Sequence, residues 1–324
     1  KANSPSSTKI KNIDETITLA PSELDYKPKK CERCFYLEKN YKIAPKDFPP
    51  PVFSRFDVVQ QAYYKDKKPK KDKPLKKSNV IDIASSLANI KNKDSSDILI
   101  LAPSELDYKP KKCQRCFYLE KNHKIGPKDF PPPVFSRFDV VQQAYYKDKN
   151  TSDLTKELPS GRIMNKDELP GRVVSETLTD NKGREFILGG RPDIVIKFDK
   201  GGYGIIDFKT TKISDDKSEN YKHQLEAYAQ IFSKPGSTKS KKTPLLNPIT
   251  HMGILQFDPS DIQSHNNDSC DMRMNISYSP LKRDEKDFFE NITKIIDILN
   301  NPSIPNFTED CNYCKFVKDQ IDLD

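Results

Sequence analysis

The chain has 324 residues, of which 35% are hydrophobic and 31% charged, and its net charge is +8. That length suits one large domain or two ordinary ones, and the hydrophobic share is below the roughly 45–50% of an average globular chain, so part of it is expected outside a packed core. No run of about 18 apolar residues occurs, which excludes a membrane-spanning helix, while the surplus of Lys and Arg suits a polyanionic partner such as nucleic acid, although a well-solvated lysine-rich surface explains it equally.

In chain order, residues 1–18 read as disordered. Residues 19–67 then recur almost unchanged at 101–149, with three differences: Glu32 becomes Gln114, Tyr41 becomes His123 and Ala44 becomes Gly126. Two copies are too few for a solenoid, which needs about three units to bury a continuous core. Tandem duplication or a sequence-assembly artefact accounts for the repeat, and only the second copy runs directly into the rest of the chain. The segment between them, 68–100, includes a Pro-broken lysine run that cannot bury enough apolar surface to fold and reads as a flexible linker. The expected domain is therefore 101–324, with 19–67 a redundant copy of its first segment.

Within the repeat unit, Ser104 is placed to cap a short helix. A Cys-x-x-Cys pair follows (Cys113, Cys116), then a PPPVF stretch expected to be extended. The segment FSRFDVVQQAYY predicts an amphipathic helix with Phe138, Val141 or Gln142, and Tyr145 at helical spacing.

Beyond Asn150 the pattern changes to strands at GRVVSETL, REFILGG and DIVIKF, a turn at DKGG, and a strand at YGIIDFKT. A helix is predicted over 218–232, with Tyr221, Leu225, Tyr228 and Phe232 on one face. Strands follow at 249–257 and 272–280. A helix over 284–299 then carries Phe288, Ile292, Ile295 and Leu299 on its apolar stripe. Strands, helix, strands, helix predict an α/β core with a mixed sheet.

The hairpin from Asp193 to Lys209 carries the chemistry. An odd number of loop residues at DKGG would set Asp193 opposite Asp207, and side-chain alternation puts Asp207 and Lys209 on one face. Two adjacent carboxylates repel unless a cation lies between them. Oxygen ligands suit Mg²⁺ or Mn²⁺, which polarises a phosphate and activates water. A neighbouring lysine can stabilise charge developing on phosphate oxygens.

The ordered set GGRPD-IVI, IIDFKT and HQLEAYA resembles the PD-(D/E)XK nuclease superfamily, and within it the RecB-like group, over residues 101–324. The resemblance implies a restriction-endonuclease-like fold: a mixed β-sheet flanked by helices. It implies that Asp193 and Asp207 hold the metal and that Lys209 is the catalytic lysine. Gln224 and Tyr228, at i, i+4 on one helix face, would position DNA or that lysine. The group's first motif, a His or Glu on the helix before the sheet, is not matched. Asp139 is the acidic candidate for that ligand, and Glu176 a second; a solvated helix or strand position explains either.

The chain has seven cysteines, six of them in three Cys-x-x-Cys pairs. In a chain this long with no visible secretory signal, the pairs suit metal or cluster ligation in a reducing, cytoplasmic compartment better than disulfides. KKCQRCFYLEKN resembles the opening of RecB-like and CRISPR-associated exonucleases, some of which hold a 4Fe–4S cluster with one N-terminal and three C-terminal cysteines. Only Cys311 and Cys314 stand at this C-terminus, so the set would be Cys113, Cys116, Cys311 and Cys314. Four thiolates fit Zn²⁺ or an iron–sulfur cluster; unligated, packed thiols are the alternative. Cys31 and Cys34 are expected to be redundant and Cys270 inert. His223, next to Gln224, is expected at an exposed helix position, with an approach to the site the alternative.

Three functions follow. The first is a Mg²⁺- or Mn²⁺-dependent DNase, an exonuclease or single-strand nuclease of repair or defence, acting on single- or double-stranded DNA with a helicase as a candidate partner. The second is a catalytically inactive nucleic-acid-binding module with a structural zinc or iron–sulfur site. The third is an iron–sulfur redox protein.

Overall fold

The structure, a computed structural model, describes residues 98–321 apart from 127–132, 166, 239–240 and 267. The expected disordered start 1–18, the first repeat copy 19–67 and the linker up to residue 97 lie outside the described residues. The described residues up to Thr308 form one compact unit, and those from Glu309 on belong to a second.

The first unit is mixed α/β, as the alternation of elements predicts. Strand β1 (Leu99–Leu101) lies inside the expected linker boundary and leads through a 3₁₀ turn (Pro103–Glu105) to helices α1 (Tyr108–Lys112) and α2 (Gln114–Tyr118). Ser104 does not cap that turn. The capping position is Ala102, whose N–H donates to the Glu105 carboxylate at 3.1 Å. Helix α3 spans Pro133–Tyr146, so Pro133 to Phe135 are helical rather than extended; proline's fixed φ and missing N–H cost nothing in a first turn.

The buried face of α3 also differs from the expected one. Gln142 and Tyr146 are buried, while Val141 and Tyr145 are 59% and 61% exposed. Tyr146 packs 5.3 Å from the Phe208 ring, and the Gln142 amide donates to Thr210 Oγ1 at 3.3 Å. A glutamine takes the inward position because its amide finds a partner there, which a polarity pattern does not register.

After a short helix α4 (Thr151–Leu154) come β2 (Gly161–Ile163), β3 (Val173–Val174), β4 (Leu178–Thr179), β5 (Glu185–Gly190), β6 (Ile194–Phe198) and β7 (Tyr203–Thr210). The expected continuous strand at GRVVSETL is split into β3 and β4, both antiparallel to β5. Between them the Glu176 N–H leaves the sheet to donate to the Lys234 carbonyl. Strand β1 joins β5 in parallel. A second, mixed sheet runs β2-β6-β7-β8-β9, with β8 (Ile249–His265) and β9 (Cys270–Leu281) forming a long antiparallel pair. Strand β8 runs past Pro259, where the register shifts and relieves the missing proline donor.

Strands β7 and β8 are parallel, so the chain must cross over between them. The crossover is a 3₁₀ segment, Asp215–Tyr221, then α5, Lys222–Ser233. Helix α5 is buried from His223 to Phe232 without interruption, as befits a helix covered on all sides. It shares one core with Leu101, Phe117, Phe186, Val195, Ile205 and the stripe of α6 (Glu285–Leu299), namely Phe288, Ile292, Ile295 and Leu299. Each such fully buried side chain contributes about 1.5–3 kcal/mol by transfer from water. Tyr146, Ile206, Phe208, Leu255 and Phe257 form the second core. Strand β7 is thus sandwiched: Ile205 faces the first core, Ile206 and Phe208 the second. In the second unit, α7 spans Asn312–Ile321.

Candidate active site

Strands β6 and β7 close a five-residue loop between Lys197 and Tyr203, in which Gly201 and Gly202 adopt φ +94° and +80°, a backbone glycine takes without strain. The last paired residues are Ile194 and Ile206, so the register carries Asp193 and Asp207 to adjoining positions at the open end of the hairpin. Asp193 accepts the backbone N–H of Phe208 at 2.8 Å. On the other strand, Asp207 Oδ2 and Lys209 Nζ are 2.6 Å apart.

Helix α5 lies over this pair. The Gln224 amide bridges it: Nε2 donates to Asp207 Oδ1 at 2.7 Å, and Oε1 accepts from Lys209 Nζ at 3.4 Å. Tyr228, one turn on, points its hydroxyl to the Arg191 carbonyl at 2.8 Å rather than to the lysine. The Lys209 ammonium stands 4.7 Å from the centre of the Tyr221 ring. From the other side, α3 brings Gln143 Nε2 to 3.5 Å from Asp193 Oδ1. Asp139, exposed on the same helix, is close enough to feel the charges of Lys209 and Asp207. Glu176 is exposed between β3 and β4.

The electrostatics are those of crowded acids. Burial, then the Asp207 charge, pushes the Asp193 carboxyl up to about 7. Loss of solvation also raises Asp139, opposed by Lys209. Burial pulls Lys209 down, but the Asp207 carboxylate more than offsets it and the ammonium is held above its ordinary range. Burial raises Tyr221 and Tyr228 as well.

The donor set fits a hard divalent cation. Both Asp207 oxygens face donors, Oδ1 the Gln224 amide and Oδ2 the Lys209 ammonium, while the nearby Gln142 Oε1 is buried and accepts no hydrogen bond, which carries an appreciable desolvation cost. Two carboxylates this close, one of them raised by burial and by the charge of the other, offer the hard oxygen ligands that Mg²⁺ and Mn²⁺ take.

A family model described as the PD-(D/E)XK nuclease superfamily matches residues 134–318, more than half of the chain. The chain belongs to the PD-(D/E)XK nuclease superfamily. Members of this superfamily use divalent metals to hydrolyse nucleic-acid phosphodiesters. A solved structure described as "Crystal structure of SSO0001" is similar at 16% identity, covering 72% of this chain and 89% of its own, with a TM-score of 0.42. No curated protein matches.

In the first unit Cys113 is buried and Cys116 half-buried; in the second, Cys311 and Cys314 are buried. Cys270 is exposed at the start of β9. No helix among the described residues is long and apolar enough to cross a membrane.

Three residues of this neighbourhood escaped the sequence reading. Tyr221 reads as a core residue of its helix, and only the 3₁₀ turn before α5 brings its ring to Lys209. Gln143 has no signal beyond lying one turn from Asp139. His223 is buried, not exposed: its ring nitrogens lie 2.6 Å from Asp107 Oδ1 and 2.9 Å from Asp287 Oδ2. Two acids from distant parts of the chain supply what solvent would have supplied.

Proposed function

We propose that this chain is a Mg²⁺- or Mn²⁺-dependent deoxyribonuclease that hydrolyses DNA phosphodiesters at the end of the β6–β7 hairpin. The observation that carries it is the Asp207–Lys209 ion pair, bridged by the Gln224 amide, with Asp193 beside it at the end of the hairpin. Asp193 and Asp207 would hold the divalent ion, with Asp139 the nearest further acid. When bound, the ion supplies Lewis acidity toward the phosphate and lowers the pKa of water. Lys209 places a desolvated positive charge where negative charge grows on the phosphate oxygens. Gln224 holds both Asp207 and Lys209 in place, and Tyr228 fixes the turn that leads into Asp193 through the Arg191 carbonyl.

The RecB-like order of these residues supports an exonuclease or single-strand nuclease of repair or defence, working in the cytoplasm with a helicase as a candidate partner. The cysteine quartet would bind Zn²⁺ or a 4Fe–4S cluster in a structural role. Four thiolates serve either, and visible absorbance of anaerobically purified protein separates them.

The test is cleavage of end-labelled single- and double-stranded DNA with Mn²⁺, Mg²⁺ or EDTA. Wild type is expected to cut only with a divalent ion, and Asp207→Ala to lose at least about a hundredfold in rate. Equal rates in the two proteins would sink the mechanism. Salt-sensitive binding without cleavage would instead identify an inactive binding module.

A further inference from the structure

Asp107 is 4% exposed, and hydrolysis as described has no direct use for it. It follows the 3₁₀ turn near the start of the described chain, yet its hydrogen-bond partners His223 and Gln224 are in the second half. Oδ2 accepts the backbone N–H groups of His223 and Gln224, both at 3.1 Å, and Oδ1 lies 2.6 Å from His223 Nδ1. These are N–H groups of the first turn of α5, which have no partner within the helix. Tyr221, in the capping position, supplies no side-chain cap. An acid 116 residues upstream does so instead, and its charge complements the positive end of the helix.

The rest of the neighbourhood locks the same turn. His223 Nε2 is 2.9 Å from Asp287 Oδ2 on α6, and Asp287 also pairs with Lys222 at 2.6 Å. Lys111 stands 3.6 Å from Asp107 Oδ1. Gln224, whose N–H Asp107 accepts, is the residue whose side chain bridges Asp207 and Lys209.

We propose that Asp107 is a positioning residue for the hydrolytic centre: by holding the first turn of α5 it sets the Gln224 amide against Asp207 and Lys209. This rests on the reading of Asp207 and Lys209 as the hydrolytic pair. Asp107 touches no reacting atom and acts through Gln224. A shift of about 1 Å at the helix end would break the 2.7 Å Gln224–Asp207 bond, and misplacements of that size cost up to about a hundredfold in rate.

The experiment is a double-mutant cycle in the full-length chain, with Asp107→Ala, Gln224→Ala and the double variant. It reads kcat and KM on single-stranded DNA with Mn²⁺, and Mn²⁺ affinity without DNA by electron paramagnetic resonance. Each single variant is expected to lose roughly ten- to a hundredfold in kcat with KM changed less than about threefold, and the double variant to be no worse than Gln224→Ala alone. Asp107→Asn and Asp107→Ser, uncharged caps, keep the cycle readable if alanine prevents folding; they are expected to recover part of the rate, and only when Gln224 is present. Losses that multiply with Gln224→Ala, or a lowered melting temperature with unchanged kcat, would overturn the proposal and leave Asp107 a structural cap. The underlying reading is judged separately: if wild type cuts and Asp207→Ala does not, multiplying losses defeat this proposal alone. A wild type that neither cuts nor binds Mn²⁺ defeats both.

Discussion

The carboxylate of Asp193 accepts the backbone N–H of Phe208 at 2.8 Å, so an acid just before one strand is pinned to its neighbouring strand between Asp207 and Lys209. The bond uses one Asp193 oxygen and turns the group toward the second acid. Burial and then repulsion by Asp207 favour its protonated form, raising it from 3.8 to about 7.

That shift fixes a pH dependence. Without a cation, the raised folded pKa contributes stability that is fully present below about 3.8 and is lost as pH rises through about 7. A divalent ion must displace the same proton. Mn²⁺ affinity is therefore expected to rise about tenfold between pH 6 and pH 8, and Asp193→Asn to flatten that rise. Calorimetric titration at the two pH values checks it; an affinity independent of pH would contradict the shift.

Tyr221 should act on Lys209 through its ring, not its hydroxyl. The ammonium is 4.7 Å from the ring centre, a contact worth about 1 kcal/mol, or roughly a fivefold effect. Tyr221→Phe is expected to cleave DNA like wild type, and Tyr221→Leu to be about fivefold slower. Steady-state rates decide; a defect of equal size in both variants would point to the hydroxyl.

Gly190 ends β5 where two elements meet. A Cβ there would lie 2.9 Å from both Tyr228 Oη and Pro103 Cδ. Gly190→Ala should destabilise by about 1–3 kcal/mol and slow cleavage by displacing Tyr228 from the Arg191 carbonyl. Gly171→Ala, with nothing within 4 Å of its Cβ, is the control and should be near neutral. Urea denaturation of both variants gives the comparison.

The orientation of α3 is open to the same method. Val141→Ser and Tyr145→Ser should stay within about 0.5 kcal/mol of wild type, since both side chains are mostly exposed. Tyr146→Ala removes a ring packed on Phe208 and Phe257 and should cost about 3–5 kcal/mol. The reverse ranking would restore the face that hydrophobic spacing suggests.

Much of the hairpin was legible because its signals are local. The alternation in YGIIDFKT puts Asp207 and Lys209 on one face whatever surrounds them, and the parity of the loop residues sets the register. The apolar stripe Phe288, Ile292, Ile295 and Leu299 reached the core as periodicity predicts. Where reading failed, polar side chains had taken buried positions: Gln142 on α3, His223 on α5. Their costs are offset by partners far along the chain, Thr210 for the first, Asp107 and Asp287 for the second.

By itself, then, the sequence determined the strand and helix order, the shared face of Asp207 and Lys209, and the helix spacing of Gln224 and Tyr228. Each follows from the fixed geometric period of a single element. Only the tertiary structure decided that Gln224 bridges the acid and the amine while Tyr228 turns away, that Tyr221 lies beside the lysine, and that Asp107 caps the helix carrying them. Those contacts join residues up to 117 positions apart, and they exist only once the crossover between the parallel strands β7 and β8 has laid α5 against the sheet and the N-terminal segment against α5.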